Sequence, residues 1–160
     1  ISRGDRMDTV IQKSTEVGVT EITPLFTDRV GVKLDKDKLQ NRLLHWEKVC
    51  ISACEQSRRT KIPVINFPKK MEDWVQNVSA QKKIILDPNG KKQISTLKND
   101  KTIVDISLLI GPEGGFSVSE VEVAKNYKFD QMSLGPRILR TETAPTVAIS
   151  IFQSIWGDIN

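Results

Sequence analysis

Between residues 5 and 17 the apolar positions Met7, Val10, Ile11 and Val17 recur at helical spacing, and Gly18 follows where a left-handed carboxyl-terminal cap belongs. A first helix with a defined stop is predicted. Residues 19–26 read as a short β-rich segment, in which Pro24 has no N–H to donate and points to a sheet edge or a strand end. From residue 37 to residue 58, Leu39, Leu43, Trp46, Cys50, Ala53 and Cys54 repeat at intervals of three and four, the pattern of a long amphipathic helix with its stripe toward a core. Short apolar runs then alternate with helical patterns: a strand at 62–65, a helix at 71–78, a strand at 84–86 and a strand at 103–110. Such alternation predicts an α/β domain with a mainly parallel sheet flanked by helices. Ile84-Ile85-Leu86 and Leu108-Leu109-Ile110 are apolar at successive positions, as central strands covered on both faces must be. Ser117 with Glu120 forms a capping box that opens a helix toward Tyr127. A strand at 132–134 and a final helix at 142–156 follow, with Pro145 in the first turn of that helix.

Composition changes this picture little. The 160 residues, 38% hydrophobic and 28% charged, suit one soluble globular domain. The N-terminus carries no secretory pattern, and no apolar run approaches the roughly 20 residues of a membrane span, so a cytoplasmic protein is expected. The first residue is Ile1, from which a fragment of a longer protein is expected. Cys50 and Cys54, one helical turn apart, read as buried thiols, and the single His45 leaves no cluster for a metal. A net charge of +4, from 24 basic and 20 acidic residues, permits a polyanionic partner without requiring one.

The candidate chemistry lies in two loops. Gly111-Pro112-Glu113-Gly114-Gly115 joins a strand to the Ser117 helix, and ligands of an open parallel sheet bind beyond the carboxyl ends of its strands. Its glycines allow close backbone approach, with the N–H groups of the helix start nearby. The spacing matches neither a dinucleotide fingerprint nor a P-loop. The second loop, residues 135–144, also runs from a strand to a helix and contains Arg137 and Arg140, planar cations suited to phosphate or a base edge. Glu142 is placed in the first turn of the last helix, where dipole compensation alone accounts for a carboxylate.

Three stretches carry a resemblance: Leu109 through Phe116 (LIGPEGGF), Ser133 through Ala144 (SLGPRILRTETA), and Arg6-Met7-Asp8 followed by Gln12 through Val19 (QKSTEVGV). Together with Glu55-Gln56-Ser57-Arg58-Arg59 they resemble, end to end and in order, the ribosomal RNA small subunit methyltransferase E family. The resemblance implies the SPOUT methyltransferase fold with a C-terminal deep trefoil knot, spanning residues 1–160 and lacking the family's N-terminal PUA-like domain. It also implies a homodimer, contacted through the last helix, where Ile149 and Trp156 add apolar surface, although core packing accounts for those residues equally well. The implied activity is S-adenosylmethionine-dependent methylation of N3 of a uridine in small-subunit (16S) ribosomal RNA. Cofactor contacts are then expected from Leu86, Ile110, Gly111, Pro112, Glu113, Gly114, Gly115, Leu134, Gly135, Ile138 and Leu139, largely through backbone groups. Arg140 is expected to stabilise negative charge on the uracil, with Glu113 and Glu142 as proton acceptors. Phosphate binding or loop tethering by Arg140 stays open. RNA contacts are assigned to Arg3, Arg6, Arg58, Arg59, Lys61 and Arg137, against the plainer account of a solvated basic face. Two alternatives stand beside this one: methylation of another RNA such as transfer RNA, and a non-catalytic RNA-binding scaffold of the same fold.

Overall fold

The computed structural model describes residues 1–2, 5–29, 36–97 and 103–159. Helix α1 (Arg6–Glu16) ends where Gly18 takes φ +99°, the left-handed conformation expected of its cap. The β-rich segment is split about Thr23-Pro24 into β1 (Glu21–Ile22) and β2 (Leu25–Phe26). Each half pairs in parallel with a later strand, β1 with β3 (Val64–Ile65) and β2 with β4 (Lys69–Lys70). Pro24 accepts from the Lys69 N–H at 3.1 Å, so it joins the ladder through the one group it can offer. Helix α2 (Lys36–Ser57) has the length its apolar repeat predicts.

The remaining elements are α3 (Met71–Asn77), β5 (Lys82–Leu86), β6 (Lys92–Gln93), a 3-10 turn at Ile94–Leu97, β7 (Ile106–Ile110), α4 (Val118–Asn126), β8 (Asp130–Ser133) and α5 (Thr143–Trp156). Strand β7 begins three residues later than its apolar run suggests, because Ile103 is buried ahead of the ladder. Strands β4 and β6, two residues each and built of Lys and Gln, have no apolar pattern to reveal them. Strands β6, β8, β5 and β7 form one sheet in that order, every pairing parallel.

Alternation along β5 sends neighbouring residues to opposite faces, and both faces are covered. Ile84 and Leu86 pack with Met132, Ala148 and Phe152 under α5, whereas Ile85 packs with Met71, Val75, Leu109 and Ala124 under α3 and α4. A third cluster joins α1 to α2 through Ile11, Trp46, Cys50 and Cys54. Both thiols are buried and free, and burial, foremost, pushes the Cys54 thiol up. Trp156 stacks on Phe152 at 5.8 Å and packs against the α5-side core while staying half-buried. No helix among the described residues is long and apolar enough to cross a membrane.

Candidate cofactor and RNA site

Register decides which loops meet. Leu86, the last residue of β5, lies opposite Ile110 at the end of β7 and opposite Met132 near the end of β8. Three loops therefore leave the same end of the sheet, where an open parallel sheet binds ligands.

The first loop, after Leu86, is fixed by hydrogen bonds within itself and to β8. Asp87 Oδ1 accepts from the Asn89 N–H and Asp87 Oδ2 from Gln131 Nε2, both at 2.8 Å, while the Asp87 N–H donates to Met132 O at 2.9 Å. The chain then crosses the end of β8 and pairs as β6 on its far side. Gly90 makes that crossing possible, since a Cβ there would stand 2.6 Å from the Met132 carbonyl carbon.

In the second loop the Gly115 N–H donates to Pro112 O at 2.8 Å, a tight turn that leads into α4. The predicted capping box is present: Ser117 Oγ accepts from the Glu120 N–H, and Glu120 Oε2 accepts from the Ser117 N–H at 2.8 Å. In the third loop Leu134, Gly135 and Leu139 are half-buried, whereas Ile138 is 84% exposed, so its side chain stands in solvent. The Arg140 carbonyl accepts from the Thr143 and Ala144 N–H groups at 2.9 and 3.0 Å and starts α5. The Arg140 side chain is 83% exposed and reaches Glu142 Oε1 only at 3.9 Å.

Glu142 is the residue before α5 and not in its first turn, and its side chain makes no capping hydrogen bond. As the N-cap residue it still faces the positive end of the α5 dipole, which accounts for a carboxylate without a capping hydrogen bond. Arg6, expected to meet RNA, donates from Nη1 to Glu113 Oε1 at 2.8 Å and feels the charge of Glu142 as well. The Glu113 hydrogen bond, then its charge, hold this exposed guanidinium more firmly protonated. Glu113 and Glu142 lie in different loops, and Arg6 on α1 is the residue that relates them.

The other RNA candidates are scattered. Arg59 Nη1 donates to Thr15 O at 2.6 Å and to Val19 O at 2.7 Å, which ties down the carboxyl end of α1. Arg58 is exposed with φ +59°, and Lys61 and Arg137 are exposed. Arg3 lies outside the described residues.

Sequence reasoning missed the residues that grip the second loop. Arg29 Nη1 donates to Gly114 O at 2.6 Å, and the Asp28 N–H donates to Glu120 Oε1 at 2.8 Å. Ser117 Oγ also donates to Asp28 Oδ2 at 2.7 Å. The capping box was the available signal, but nothing local tells that the second Glu120 oxygen serves a segment 92 residues away. Asp28, Glu72 and Glu120 bring carboxylate oxygens within 4.8 Å of one another, but both Glu120 oxygens already accept from backbone N–H groups. Also unforeseen is a cavity of about 430 Å³ between α1, residues 20–27, β7 and α5, which meets the loops at Gly111, Pro112, Thr141 and Pro145. Thr27 Oγ1 lines it, buried and without a hydrogen-bond partner among the described residues.

A parallel three-layer α/β domain with backbone-rich loops gathered at one sheet end belongs to the class that binds nucleotide-like ligands. Comparison with known proteins narrows the class. Residues 1–153 match the family model described as RNA methyltransferase domain, and the chain belongs to that family. It is 41% identical over 159 residues to ribosomal RNA small subunit methyltransferase E of Buchnera aphidicola subsp. Acyrthosiphon pisum, covering 99% of this chain and 62% of that protein. It is 34% identical to the protein of that name from Bacillus subtilis, over 94% of this chain and 61% of the relative. The crystal structure of ribosomal RNA small subunit methyltransferase E from Neisseria gonorrhoeae, bound to S-adenosyl methionine, superposes with TM-score 0.92 at 37% identity, over all of this chain and 65% of that one. A Legionella pneumophila protein in complex with the bound cofactor SAM gives TM-score 0.93 at 42% identity, over 99% of this chain and 64% of that one. The resemblance carried by the sequence motifs is borne out, and the chain spans less than two thirds of the length of these relatives.

Proposed function

We propose that this chain is the methyl-transferring part of an enzyme that methylates N3 of a uridine in small-subunit ribosomal RNA, with S-adenosylmethionine as donor. The observation that carries the reading is the convergence of three backbone-rich loops, after Leu86, Ile110 and Ser133, at one end of the parallel sheet of an RNA methyltransferase family member. The loops fit the cofactor: around Gly111, Pro112, Leu134 and Gly135 they offer backbone groups and apolar surface, the means by which an uncharged adenine edge is held. Leu86, Ile110, Gly114, Gly115, Ile138 and Leu139 complete the proposed cofactor contacts. The reading includes the SPOUT fold with a trefoil knot, supported by the way residues 87–91 pass the end of β8 before pairing beyond it. It also includes cytoplasmic action, and a homodimer contacted through α5, on which Ile149 and Trp156 are only half-buried.

When bound, S-adenosylmethionine supplies an electrophilic methyl group. The uracil N3 holds a proton that must leave before that nitrogen attacks, and negative charge then spreads to the two carbonyl oxygens flanking N3. Arg140, exposed at the loop rim, is the cation proposed to stabilise that charge, and Arg137 to hold a neighbouring phosphate. Arg6 already occupies one oxygen of Glu113, which favours Glu142 as the proton acceptor. Replacing Arg140 by Ala is expected to lower methyl transfer about 100-fold, with cofactor affinity measured by calorimetry retained. Unchanged turnover would sink the catalytic role. Mass spectrometry of small-subunit rRNA and transfer RNA incubated with protein and cofactor tests the substrate. Methyl on transfer RNA alone favours the first alternative, and absence of cofactor binding favours the scaffold.

A further inference from the structure

Arg29 stands in the turn three residues past β2, and none of the motif stretches includes it. Its guanidinium nevertheless donates to Gly114 O at 2.6 Å, and its aliphatic stem lies so close that a Cβ on Gly114 would be 3.2 Å from Arg29 Cβ. A second set of bonds fixes where Arg29 starts from. Glu120, 1% exposed, splits its carboxylate between the Ser117 N–H that opens α4 and the Asp28 N–H, each at 2.8 Å. Ser117 Oγ donates in addition to Asp28 Oδ2 at 2.7 Å. The turn at Asp28 and Arg29 is therefore stapled to the start of α4 by a buried carboxylate, and from that anchor Arg29 holds the loop's carbonyl. Glu120 acts as cap and staple at once.

We infer that Arg29 is a positioning residue: it holds residues 111–115 in the shape that receives the methyl donor, and Glu120 sets the place from which it does so. The inference rests on the proposal that this loop binds S-adenosylmethionine. A loop fixed before binding loses less conformational freedom on binding, so the effect belongs in cofactor affinity. A charge-assisted hydrogen bond to a backbone carbonyl is of the strength to hold such a turn.

Arg29→Met keeps the stem beside Gly114 and removes the donor, and Arg29→Lys restores one donor. Arg29→Met is expected to weaken S-adenosylmethionine binding in calorimetry about tenfold, and Arg29→Lys to recover most of that loss. Without cofactor, hydrogen exchange at the Gly114, Gly115 and Phe116 amides is expected to quicken in Arg29→Met while the amides of α2 keep the parent's rates. Parent-like affinity and parent-like exchange in Arg29→Met would overturn the inference, as would equal acceleration throughout the chain, which marks a merely structural role. A parent protein that binds no S-adenosylmethionine sinks the proposed function, and the exchange comparison then still decides whether Arg29 holds the loop.

Discussion

At the scale of single residues, the arginines divide by what their nitrogens touch. Arg59 donates to Thr15 O in the last turn of α1, which also accepts from the Gly18 N–H, and to Val19 O just past the helix. Arg59→Ala is expected to cost about 2 kcal/mol in chemical denaturation, because one carbonyl in the last turn of α1 and one just past it lose a charged donor. RNA affinity should hardly change if Arg59 is structural, and a large loss of affinity at parental stability would reverse the assignment. Gly90 is decided by space: a Cβ would enter the backbone of β8 at Met132 and Ser133. Gly90→Ala is expected to destabilise by about 1–3 kcal/mol, the range of overpacked sites, and to weaken cofactor binding because the first loop must move. Full stability and affinity in that variant would mean that the crossing relaxes freely.

Among the elements, β5 sends side chains into both helical layers, as its neighbour β7 does through Leu109 on one face and Leu108 and Ile110 on the other. Ile85 is fully buried, and Ile85→Ala is expected to cost about 2–5 kcal/mol, against less than about 0.5 for the same change at the exposed Ile62, as read by denaturant midpoints. Three strands are joined at their edge by one carboxylate: Asp130 on β8 accepts from Lys82 Nζ of β5 at 2.6 Å and from Lys92 Nζ of β6 at 2.7 Å. Burial by itself pushes Asp130 up, but the hydrogen bonds from the two lysines and then their charges outweigh it, so its pKa lies below the usual carboxylate value. A carboxyl lowered in the native state stabilises the fold when ionised. Its contribution is complete above the unfolded value, near pH 4, and fades as pH falls through the lower native value. Asp130→Asn is therefore expected to be less stable than the parent by about 0.5–1 kcal/mol at neutral pH, with the gap closing under acid conditions. A gap independent of pH would show that the lysine contacts contribute nothing.

For the molecule as a whole, the net charge of +4 is modest, so affinity for RNA depends on where the cations stand. With Arg6 held by Glu113 and Arg59 by α1, the exposed Arg137 and Arg140 at the loop rim are the phosphate contacts to test. Arg137→Ala is expected to reduce the slope of log affinity against log salt by about one, and an unchanged slope would remove Arg137 from the interface. Much of this organisation is legible in the chain: helical spacing marks α1, α2 and α5, doubly apolar runs mark β5 and β7, and Ser117 with Glu120 marks the start of α4. Those signals are local, because side-chain periodicity and capping act within a few residues. The motif stretches further identify the family and the two loops. What only the tertiary structure decided is which groups meet: Arg6 with Glu113 across 107 residues, Arg29 with Gly114 across 85, and the ends of β5, β7 and β8 side by side. Parallel pairing sets those encounters through strand order and register, and backbone ladders carry neither in the identity of any one residue.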